Sequence, residues 1–327
     1  MSYNNFINQN IQYTLATTDP TTLLDTLKYT RFNNGKVRDS YFREEDIVLI
    51  TTDRISAFNR VLGTIPFKGQ VLNGIANFWF NFMKDIIPNH IIASPDPNIT
   101  IARRLDIFPV EIIVRAYLTG STDTSILMNY NNGVRNYCGN ILPEDLKPNS
   151  RLPSIIVTPT TKSDSHDELI SPEEIVNRRL MTASEWEYIS SKAIEIFEKA
   201  SDYLDSKGLM LVDTKMEFGK DIDGNIILAD ELLTPDSSRY WLKDSYQDCF
   251  NQGIPPKSLD KEVLRLWYVN HCDPYNDKVL PDAPDELIVE LSAKYIELYE
   301  LITDSKFQFP DTSFGINQRI NKALGVK

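Results

Sequence analysis

The sequence predicts an α+β fold, because β-hairpins and long amphipathic helices occur in different parts of one chain. Two apolar-rich runs, residues 209–218 and 226–233, flank the dipeptide Asp223-Gly224, which is typical of a tight hairpin turn. A second hairpin is predicted over residues 33–52, with its turn at residues 43–46. A long helix is predicted before the hairpin at residues 209–233. Its apolar face consists of Trp186, Ile189, Ala193, Phe197, Ala200 and Leu204.

The N-terminal part is expected to be rich in strands. A flexible Asn-Asn-Gly at residues 33–35 precedes an alternating strand, and residues 47–52 are strongly β-prone. An irregular segment rich in glycine and proline follows, with polar side chains available to a ligand at Asp53, Arg54, Ser56 and Lys68. Helical spacing then predicts a buried stripe of Val71, Ile75, Phe78, Trp79 and Phe82.

The middle of the chain combines strands with polar loops. Strand-like runs at residues 99–105 and 111–118 are joined by the bridge Asp-Ile-Phe-Pro, which is a candidate hinge. The second run contains Arg115 and leads into Thr-Gly-Ser-Thr at residues 119–122, whose N–H groups and hydroxyls suit a phosphate. Residues 154–162 form another predicted strand, followed by a loop with His166, which is more often structural than catalytic.

Helix signals dominate the remainder. Ser171 and Thr182 each precede a glutamate by three residues, as in a capping box, and Gly208 ends the second helix. Amphipathic helices near residues 263–268 and 286–301 are predicted to be scaffold.

Composition limits the classes of function. The 327 residues are 42% hydrophobic and 24% charged, as in a globular protein. A net charge of −12 argues against a nucleic-acid partner. Three widely spaced cysteines give neither a disulfide framework nor a zinc pattern. No signal peptide and no apolar run of membrane-spanning length is visible, so we expect a cytoplasmic protein without a membrane partner.

The hairpin at residues 209–233 carries the strongest chemical signal. In its first strand Asp213, Lys215 and Glu217 share one face. If Asp223 and Gly224 are the central turn residues, Glu217 lies directly opposite Asp230. Two facing carboxylates repel unless a positive charge lies between them, and oxygen ligands suit Mg²⁺. The alternative is a solvent-facing strand whose charges are paired with neighbours.

Lys36 and Arg38 suggest a second functional element. They are two residues apart in the predicted strand and project to the same side. They indicate either a glycine-supported flap over nucleotide phosphates or an edge strand protected by cations. Neither a Walker motif nor a dinucleotide-binding glycine motif is present, so any ATP site is of another type.

Six motifs in order resemble those of phosphoribosylaminoimidazole-succinocarboxamide synthase, the SAICAR synthetase of purine biosynthesis. They are GKVRDSY, TTDRISAF, PVEIIVRAYLTGS, TPTTK with HDE, LVDTKMEFG and DELLTPDSSRYW, and the likeness covers roughly residues 30–301. The resemblance implies ATP-dependent joining of carboxyaminoimidazole ribonucleotide to L-aspartate. It also implies a small β-rich, ATP-covering domain at residues 1–110 and a larger α+β domain, similar to kinases and ATP-grasp enzymes, at residues 111–327.

The resemblance also assigns roles to individual residues. Lys36 and Arg38 would face the ATP phosphates, and the bridge from Asp106 to Glu111 would read adenine through its backbone. Glu217 and Asp230 would hold Mg²⁺. The imidazole ribonucleotide would be held by Arg115, Ser121 and Arg239. The further active-site positions would be Lys162, Asp167, Asp213 and Lys215. Of these, Lys215 would neutralise charge on the transferred group.

The sequence departs from the family pattern at three places. Asn59 replaces an aspartate, Ala116 replaces a glycine, and Asp123-Thr124 replaces a Trp-Lys pair. Because an amide is a weak Mg²⁺ ligand, we expect Asn59 to position substrate by hydrogen bonding. Two rival interpretations are a small-molecule kinase and an inactive nucleotide-binding regulator.

Overall fold

The computed structural model describes residues 3–58, 60–122, 124–162, 168–259 and 261–326. The strands are β1 Arg31–Asn34, β2 Arg38–Phe42, β3 Asp46–Thr51, β4 Arg54–Ala57, β5 Arg60–Thr64, β6 Ile91–Asp96, β7 Ile99–Arg103, β8 Asp106–Ile107, β9 Val110–Tyr117, β10 Asn136–Tyr137, β11 Asn140–Ile141, β12 Arg151–Val157, β13 Thr160–Thr161, β14 Leu209–Lys220, β15 Ile226–Ala229 and β16 Ser238–Leu242. The helices are α1 Tyr3–Gln9, α2 Pro20–Leu27, α3 Lys68–Phe82, α4 Ile126–Asn131, α5 Pro172–Asn177, α6 Ala183–Asp205, α7 Lys243–Gln252, α8 Glu262–His271, α9 Asp285–Thr303 and α10 Ile316–Ala323.

The chain divides into two compact units that are interleaved in sequence. Unit 1 consists of Met1–Phe80, His90–Arg104 and Asp260–Lys327, and unit 2 consists of Asn81–Asn89 and Leu105–Leu259. The C-terminal helices α8, α9 and α10 therefore belong to the same compact unit as the N-terminal strands. The division into functional domains after residue 110 stays a prediction.

Unit 1 is built on an antiparallel sheet with the strand order β1-β2-β3-β7-β6. The predicted hairpin is β2–β3, whose turn is closed by a hydrogen bond from the Arg43 N–H to the Asp46 carbonyl (2.9 Å). One apolar cluster on the sheet includes Tyr41, Val48, Ile50 and Ile99 and is extended by Ile320 of α10. The sequence signals did not predict α10, whose buried residues complete this core.

Helix α3 confirms the predicted apolar stripe. Val71, Ile75 and Trp79 are fully buried. Phe78 and Phe82 are partly buried, and the Phe82 ring contacts Tyr203 at 4.9 Å between centroids. The spacing of these residues therefore identified both the helix and its buried face.

Unit 2 is built on a second sheet, in which β14 is central. The path is β12-β9-β14-β15, and β8 and β16 also pair with β14. Helix α6 begins with the predicted capping box, in which Thr182 and Glu185 exchange hydrogen bonds, and its apolar face is buried from Ile189 to Leu204. This helix packs against β14. Because successive strand residues alternate, Thr214, Met216 and Phe218 occupy one face of β14 and the charged residues occupy the other.

The predicted hairpin over residues 209–233 is present, but the predicted register was wrong by one residue. Glu217 pairs with Ala229, not with Asp230. The loop has an odd length, because the Asp221 N–H bonds to the Asn225 carbonyl (3.1 Å) and the Asp221 carboxylate accepts the N–H of Asn225 (2.9 Å). Gly224 provides the positive φ (82°) that this closure needs. The loop is thus centred on Asp223, which moves every cross-strand partner by one position.

Candidate active site

The charged face of β14 is where the predicted site residues meet. Strand β9 pairs with one edge of β14 and places Arg115 opposite Asp213. Strand β16 pairs with the other edge and places Arg239 opposite the same aspartate. The polar residues 236–239 follow Pro235 and would be expected on a loop, but Ser238–Leu242 is a strand, so Arg239 is held by the sheet. Three adjacent strands therefore fix the positions of these charges.

We call the first group, Arg115, Asp213 and Arg239, the arginine–aspartate cluster. Arg115 Nη1 donates to Asp213 Oδ2 at 2.9 Å, and Arg239 Nη1 donates to the same oxygen. The side chains of Arg115 and Asp213 are each only 6% exposed, whereas Arg239 is 25% exposed. Two guanidinium groups on one carboxylate leave a net positive charge. The cluster therefore suits an anionic ligand that approaches from the Arg239 side.

We call the second group, Glu111, Lys162, Lys215 and Glu217, the lysine–glutamate cluster. Lys215 Nζ lies 2.6 Å from Glu111 Oε1 and 3.1 Å from Glu217 Oε1. Lys162 Nζ pairs with the other oxygen of Glu217. The cluster lies beside the arginine–aspartate cluster, because Asp213, Lys215 and Glu217 are successive residues of one face.

The pKa of Lys215 reflects its surroundings. Burial by itself would lower the pKa of this ammonium group, but the negative charges of Glu217, Glu111 and Asp230 outweigh burial and raise it above the ordinary lysine value. Lys215 is therefore a permanent cation at neutral pH. Such a group stabilises negative charge and cannot act as a base.

Asp230 lies just beyond the end of β15, where the chain leaves the hairpin. Its backbone has φ 62°, a left-handed conformation that is uncommon outside glycine. Its carboxylate is close enough to contribute to the raised pKa of Lys215. Although the predicted pairing with Glu217 was wrong, Asp230 and Glu217 both act electrostatically on the same ammonium group.

The predicted Gly-Ser loop approaches the arginine–aspartate cluster. Gly120 has φ 109°, and a Cβ atom there would lie 2.6 Å from Ser125 Cβ and 3.4 Å from Arg239 Nη2. Any side chain at this position would therefore collide with the loop. The next residue, Ser121, is exposed.

Two contacts in unit 2 were not predicted from the sequence. Thr158 Oγ1 accepts a hydrogen bond from Arg115 Nε at 2.9 Å and so fixes the orientation of the guanidinium group. Glu111 was expected to act through its backbone, yet its carboxylate binds Lys215. The alternation of β9 gave a signal for Glu111, because Glu111 and Arg115 lie on the same face of that strand.

Other predicted residues are not members of the two clusters described above. Lys36 and Arg38 belong to unit 1, and Lys36 lies in the bend between β1 and β2, so the prediction of a continuous strand there was wrong. Gly35 starts this bend, and its N–H bonds to the Arg38 carbonyl at 2.9 Å. Asp106 is exposed on β8, opposite Lys220 of β14. Asn59, His166 and Asp167 lie outside the described residues.

Of the four polar side chains after β3 that were expected to be available to a ligand, Asp53, Arg54 and Lys68 are buried, contrary to that expectation, and Ser56 is half-buried. Arg54 is buried and binds Asp39 Oδ1 at 2.7 Å, and Lys68 is fully buried. Asp53 accepts the N–H groups of Leu15 and Gly69, each at 2.7 Å. Burial raises the pKa of Asp53 to about 6 despite these two hydrogen bonds.

Comparison with known proteins identifies the family. The SAICAR synthetase family profile matches residues 31–281. The chain belongs to the SAICAR synthetase family. A phosphoribosylaminoimidazole-succinocarboxamide synthase of Legionella pneumophila (strain Lens) is 51% identical over 286 residues, which are 88% of this chain and 92% of the relative. A chloroplastic synthase of Arabidopsis thaliana is 53% identical over 288 residues, which are 88% of this chain and 70% of the relative.

Solved structures of SAICAR synthetases share the fold. The SAICAR synthase from Saccharomyces cerevisiae complexed with SAICAR has a TM-score of 0.76 and 31% identity, and the match covers 90% of this chain and 100% of that one. A type-2 SAICAR synthetase in complex with ADP has a TM-score of 0.65 and 26% identity, with 85% and 100% covered. The predicted family, α+β fold class and enzyme class, an ATP-dependent ligase of purine biosynthesis, are confirmed.

The described residues contain neither a membrane-spanning helix nor a preformed metal-binding group. None of their helices is long and apolar enough to cross a membrane. No group of three or more His, Cys, Asp or Glu side chains in the described ranges is arranged to hold a metal ion.

Proposed function

We propose that this SAICAR synthetase joins the carboxylate of carboxyaminoimidazole ribonucleotide to the amine of L-aspartate, with ATP converted to ADP and phosphate. The observation that carries the proposal is the adjacency of the two clusters on one face of β14. One cluster suits an anionic substrate, and the other suits phosphoryl transfer. The names of the relatives and the SAICAR bound to the yeast enzyme support the same reaction.

The chemistry requires a carboxylate to be activated, because a free carboxylate is a poor acyl donor. A carboxylate oxygen attacks the γ-phosphorus of ATP, and the bond from that phosphorus to the β,γ-bridging oxygen breaks, which releases ADP. The aspartate amine then attacks the acyl carbon, loses a proton, and displaces phosphate as the C–N bond forms. The protein mainly has to orient the reactants and neutralise negative charge.

The arginine–aspartate cluster provides the site for the imidazole ribonucleotide. Arg239 is the more exposed arginine and offers paired donors to phosphate or carboxylate, while Arg115 is held in place by Thr158 and Asp213. Ser121 lies next to Gly120, which approaches Arg239. By resemblance, Asn59 and Asp167 complete the substrate contacts.

The lysine–glutamate cluster provides the charges for phosphoryl transfer. Lys215 and Lys162 are cations that stabilise the transferred group. By resemblance, Lys36 and Arg38 contact the ATP phosphates and the segment from Asp106 reads adenine.

Mg²⁺ fits two carboxylates at this place, Glu217 of the cluster and Asp230 beside it. Glu217 and Asp230 supply hard oxygen ligands, and Mg²⁺ commonly takes one or two carboxylates together with substrate phosphates. Both carboxylates act on Lys215, so both are near the same centre. Mg²⁺ held there would neutralise charge on the phosphates. We therefore assign Glu217 and Asp230 as the residues that hold it.

Stoichiometry tests the reaction against its two rivals. ADP release is measured with ATP and carboxyaminoimidazole ribonucleotide present and with aspartate added or withheld. The ligase releases one ADP for each aspartate consumed. Phosphorylated product without aspartate indicates the kinase, and ATP binding without turnover indicates the regulator. The prediction of a cytoplasmic location is tested separately by cell fractionation.

A further inference from the structure

The β10–β11 hairpin of unit 2 places one tyrosine in the interior. Its register pairs Tyr137 with Asn140, so Cys138 and Gly139 are the two central residues of the turn. Both have positive φ, 51° and 85°, as a two-residue hairpin turn of this kind requires. Tyr137 is only 1% exposed, although the strand that carries it is two residues long. The turn therefore directs one bulky side chain of a very short hairpin inward.

Asn140 fastens this hairpin next to the arginine–aspartate cluster. Its side-chain amide donates to the Val157 carbonyl at 2.8 Å and to the Tyr137 carbonyl at 3.1 Å. Val157 ends β12, and the next residue, Thr158, accepts the hydrogen bond from Arg115 Nε. The backbone of Tyr137 is thus held close to the residue that supports an arginine of the cluster.

The Tyr137 hydroxyl remains a hydrogen-bond donor at neutral pH. Burial raises the pKa of Tyr137 to about 12, and the positive charge of Arg115 acts against that rise. The hydroxyl therefore keeps its proton, and it lies within electrostatic reach of the cluster. It donates to the Thr124 carbonyl at 2.5 Å. Tyr137 thus links the surroundings of Arg115 to the segment that contains Thr124.

That segment is the Gly-Ser loop, by which we mean residues 119–122, 124 and 125. At the start of the loop, Thr119 Oγ1 donates to Asn149 Oδ1 at 2.8 Å. At its end, Ser125 is the N-cap of α4, and the Ser125 N–H closes a turn to the Thr122 carbonyl at 2.8 Å. The tyrosine bond attaches the loop inside that turn, between the two ends.

The Gly-Ser loop lies against the more exposed arginine of the cluster. A Cβ atom on Gly120 would lie 3.4 Å from Arg239 Nη2, so the loop backbone is close to this guanidinium group. Ser121 follows Gly120 and is exposed. A shift of the loop would therefore move the hydroxyl and N–H of Ser121 relative to Arg239. Because hydrogen bonds to an anion are directional, such a shift weakens binding.

We propose that Tyr137 is a positioning residue for the imidazole ribonucleotide, because its hydroxyl holds the Gly-Ser loop beside the arginine–aspartate cluster. The inference rests on the proposed function, in which Ser121, Arg115 and Arg239 hold that substrate. Tyr137 itself is buried and donates to the main chain, so its effect on the substrate passes through the loop.

The first test compares two hydroxyl groups of one apolar cluster. Tyr137→Phe removes the donor to Thr124 and keeps the ring. Tyr130→Phe is the matched control, because Tyr130 lies in the same cluster and its hydroxyl also donates to a main-chain carbonyl, that of Pro143 at 2.8 Å.

Tyr137→Phe should raise the KM for carboxyaminoimidazole ribonucleotide about fivefold, the factor to which one ordinary hydrogen bond corresponds. The KM for ATP should change less than about twofold, and Tyr130→Phe should leave both values within about twofold of the wild type. An unchanged KM for the imidazole ribonucleotide in Tyr137→Phe, or an equal rise in the two variants, would overturn the inference.

Amide exchange tests the same link without turnover. In Tyr137→Phe the Ser125 N–H, which closes the turn of the Gly-Ser loop, should exchange faster, while the Leu146 N–H keeps its wild-type rate. Tyr130→Phe should give the reverse, because the Leu146 N–H donates to the Tyr130 hydroxyl at 3.0 Å. Uniformly faster exchange in Tyr137→Phe would indicate a general loss of stability and would contradict the proposal.

A second variant approaches the tyrosine from the hairpin and decides the question if Tyr137→Phe does not fold. Asn140→Ala removes the bonds to the Val157 and Tyr137 carbonyls, and Asn177→Ala, at an exposed position of α5, is its control. Asn140→Ala should raise the same KM, and its effect should not add to that of Tyr137→Phe, because both variants release one loop. Full additivity, or an unchanged KM, is incompatible with the proposal. If the wild type itself lacks aspartate-dependent ADP release, the proposed function fails, and the exchange pattern still decides whether Tyr137 holds the loop.

Discussion

Replacing Asp213 by asparagine tests the electrostatic design of the arginine–aspartate cluster. The substitution keeps the shape and one acceptor oxygen but removes the only carboxylate charge of the cluster. Arg115, 6% exposed, would then be a buried cation whose 2.9 Å ion pair is lost. Breaking one partner of a buried pair costs about 3–5 kcal/mol, and the retained oxygen moves the expectation to the lower end. We expect a loss of about 3 kcal/mol in the free energy of unfolding of unit 2.

The assay is urea denaturation followed by tryptophan fluorescence and circular dichroism in parallel. Asp202→Asn, an exposed position on α6, is the matched control and should change stability by less than about 0.5 kcal/mol. Inorganic phosphate should stabilise Asp213→Asn more than the wild type, because the two arginines lose their internal anion. A loss below about 1 kcal/mol, together with equal stabilisation by phosphate, would refute the picture of a charge-compensated anion site.

Four further predictions concern single residues. Burial raises the pKa of Asp53 from 3.8 to about 6, so the folded state favours the protonated carboxyl group. The resulting stabilisation of about 3 kcal/mol is fully present below pH 4 and is lost as the pH rises through 6. Calorimetry should find this pH dependence in the wild type but not in Asp53→Asn. Gly219→Ala should displace Asp106, because a Cβ atom at position 219 would lie 2.8 Å from the Asp106 carbonyl. Since Asp106 begins the segment proposed to read adenine, nucleotide binding measured by titration calorimetry should weaken. Asp230→Asn should abolish turnover while circular dichroism stays unchanged, and near-normal activity at low Mg²⁺ would contradict the metal assignment. Arg239→Lys should lose about 2–4 kcal/mol of transition-state stabilisation, measured as kcat/KM for the imidazole ribonucleotide.

The hairpin at residues 209–233 shows how far sequence reasoning extends. Strand alternation correctly placed Asp213, Lys215 and Glu217 on one face, because a two-residue period needs no knowledge of distant contacts. The cross-strand register was wrong, because it depends on how Asp221 and Asn225 close the loop. A one-residue difference in loop closure cannot be read from the turn dipeptide alone.

Distant contacts were the other source of error. Asp53 and Arg54 looked available in a segment rich in glycine and proline, yet both are buried by residues far away in the sequence. The carboxylate of Glu111 and the hydroxyl of Thr158 joined the site through strand pairing, which local patterns do not specify. Side-chain type and spacing therefore predicted which charged residues are candidates for the site. The tertiary fold decided which of those residues make buried structural contacts instead.

The most direct test of the central claim follows an oxygen atom. If the enzyme activates a carboxylate by phosphoryl transfer, carboxyaminoimidazole ribonucleotide labelled with ¹⁸O in its carboxylate must pass one labelled oxygen to the phosphate released with ADP. Mass spectrometry of that phosphate, in the presence of aspartate, should find one ¹⁸O per turnover from fully labelled substrate. Unlabelled phosphate, with SAICAR still formed, would contradict the account.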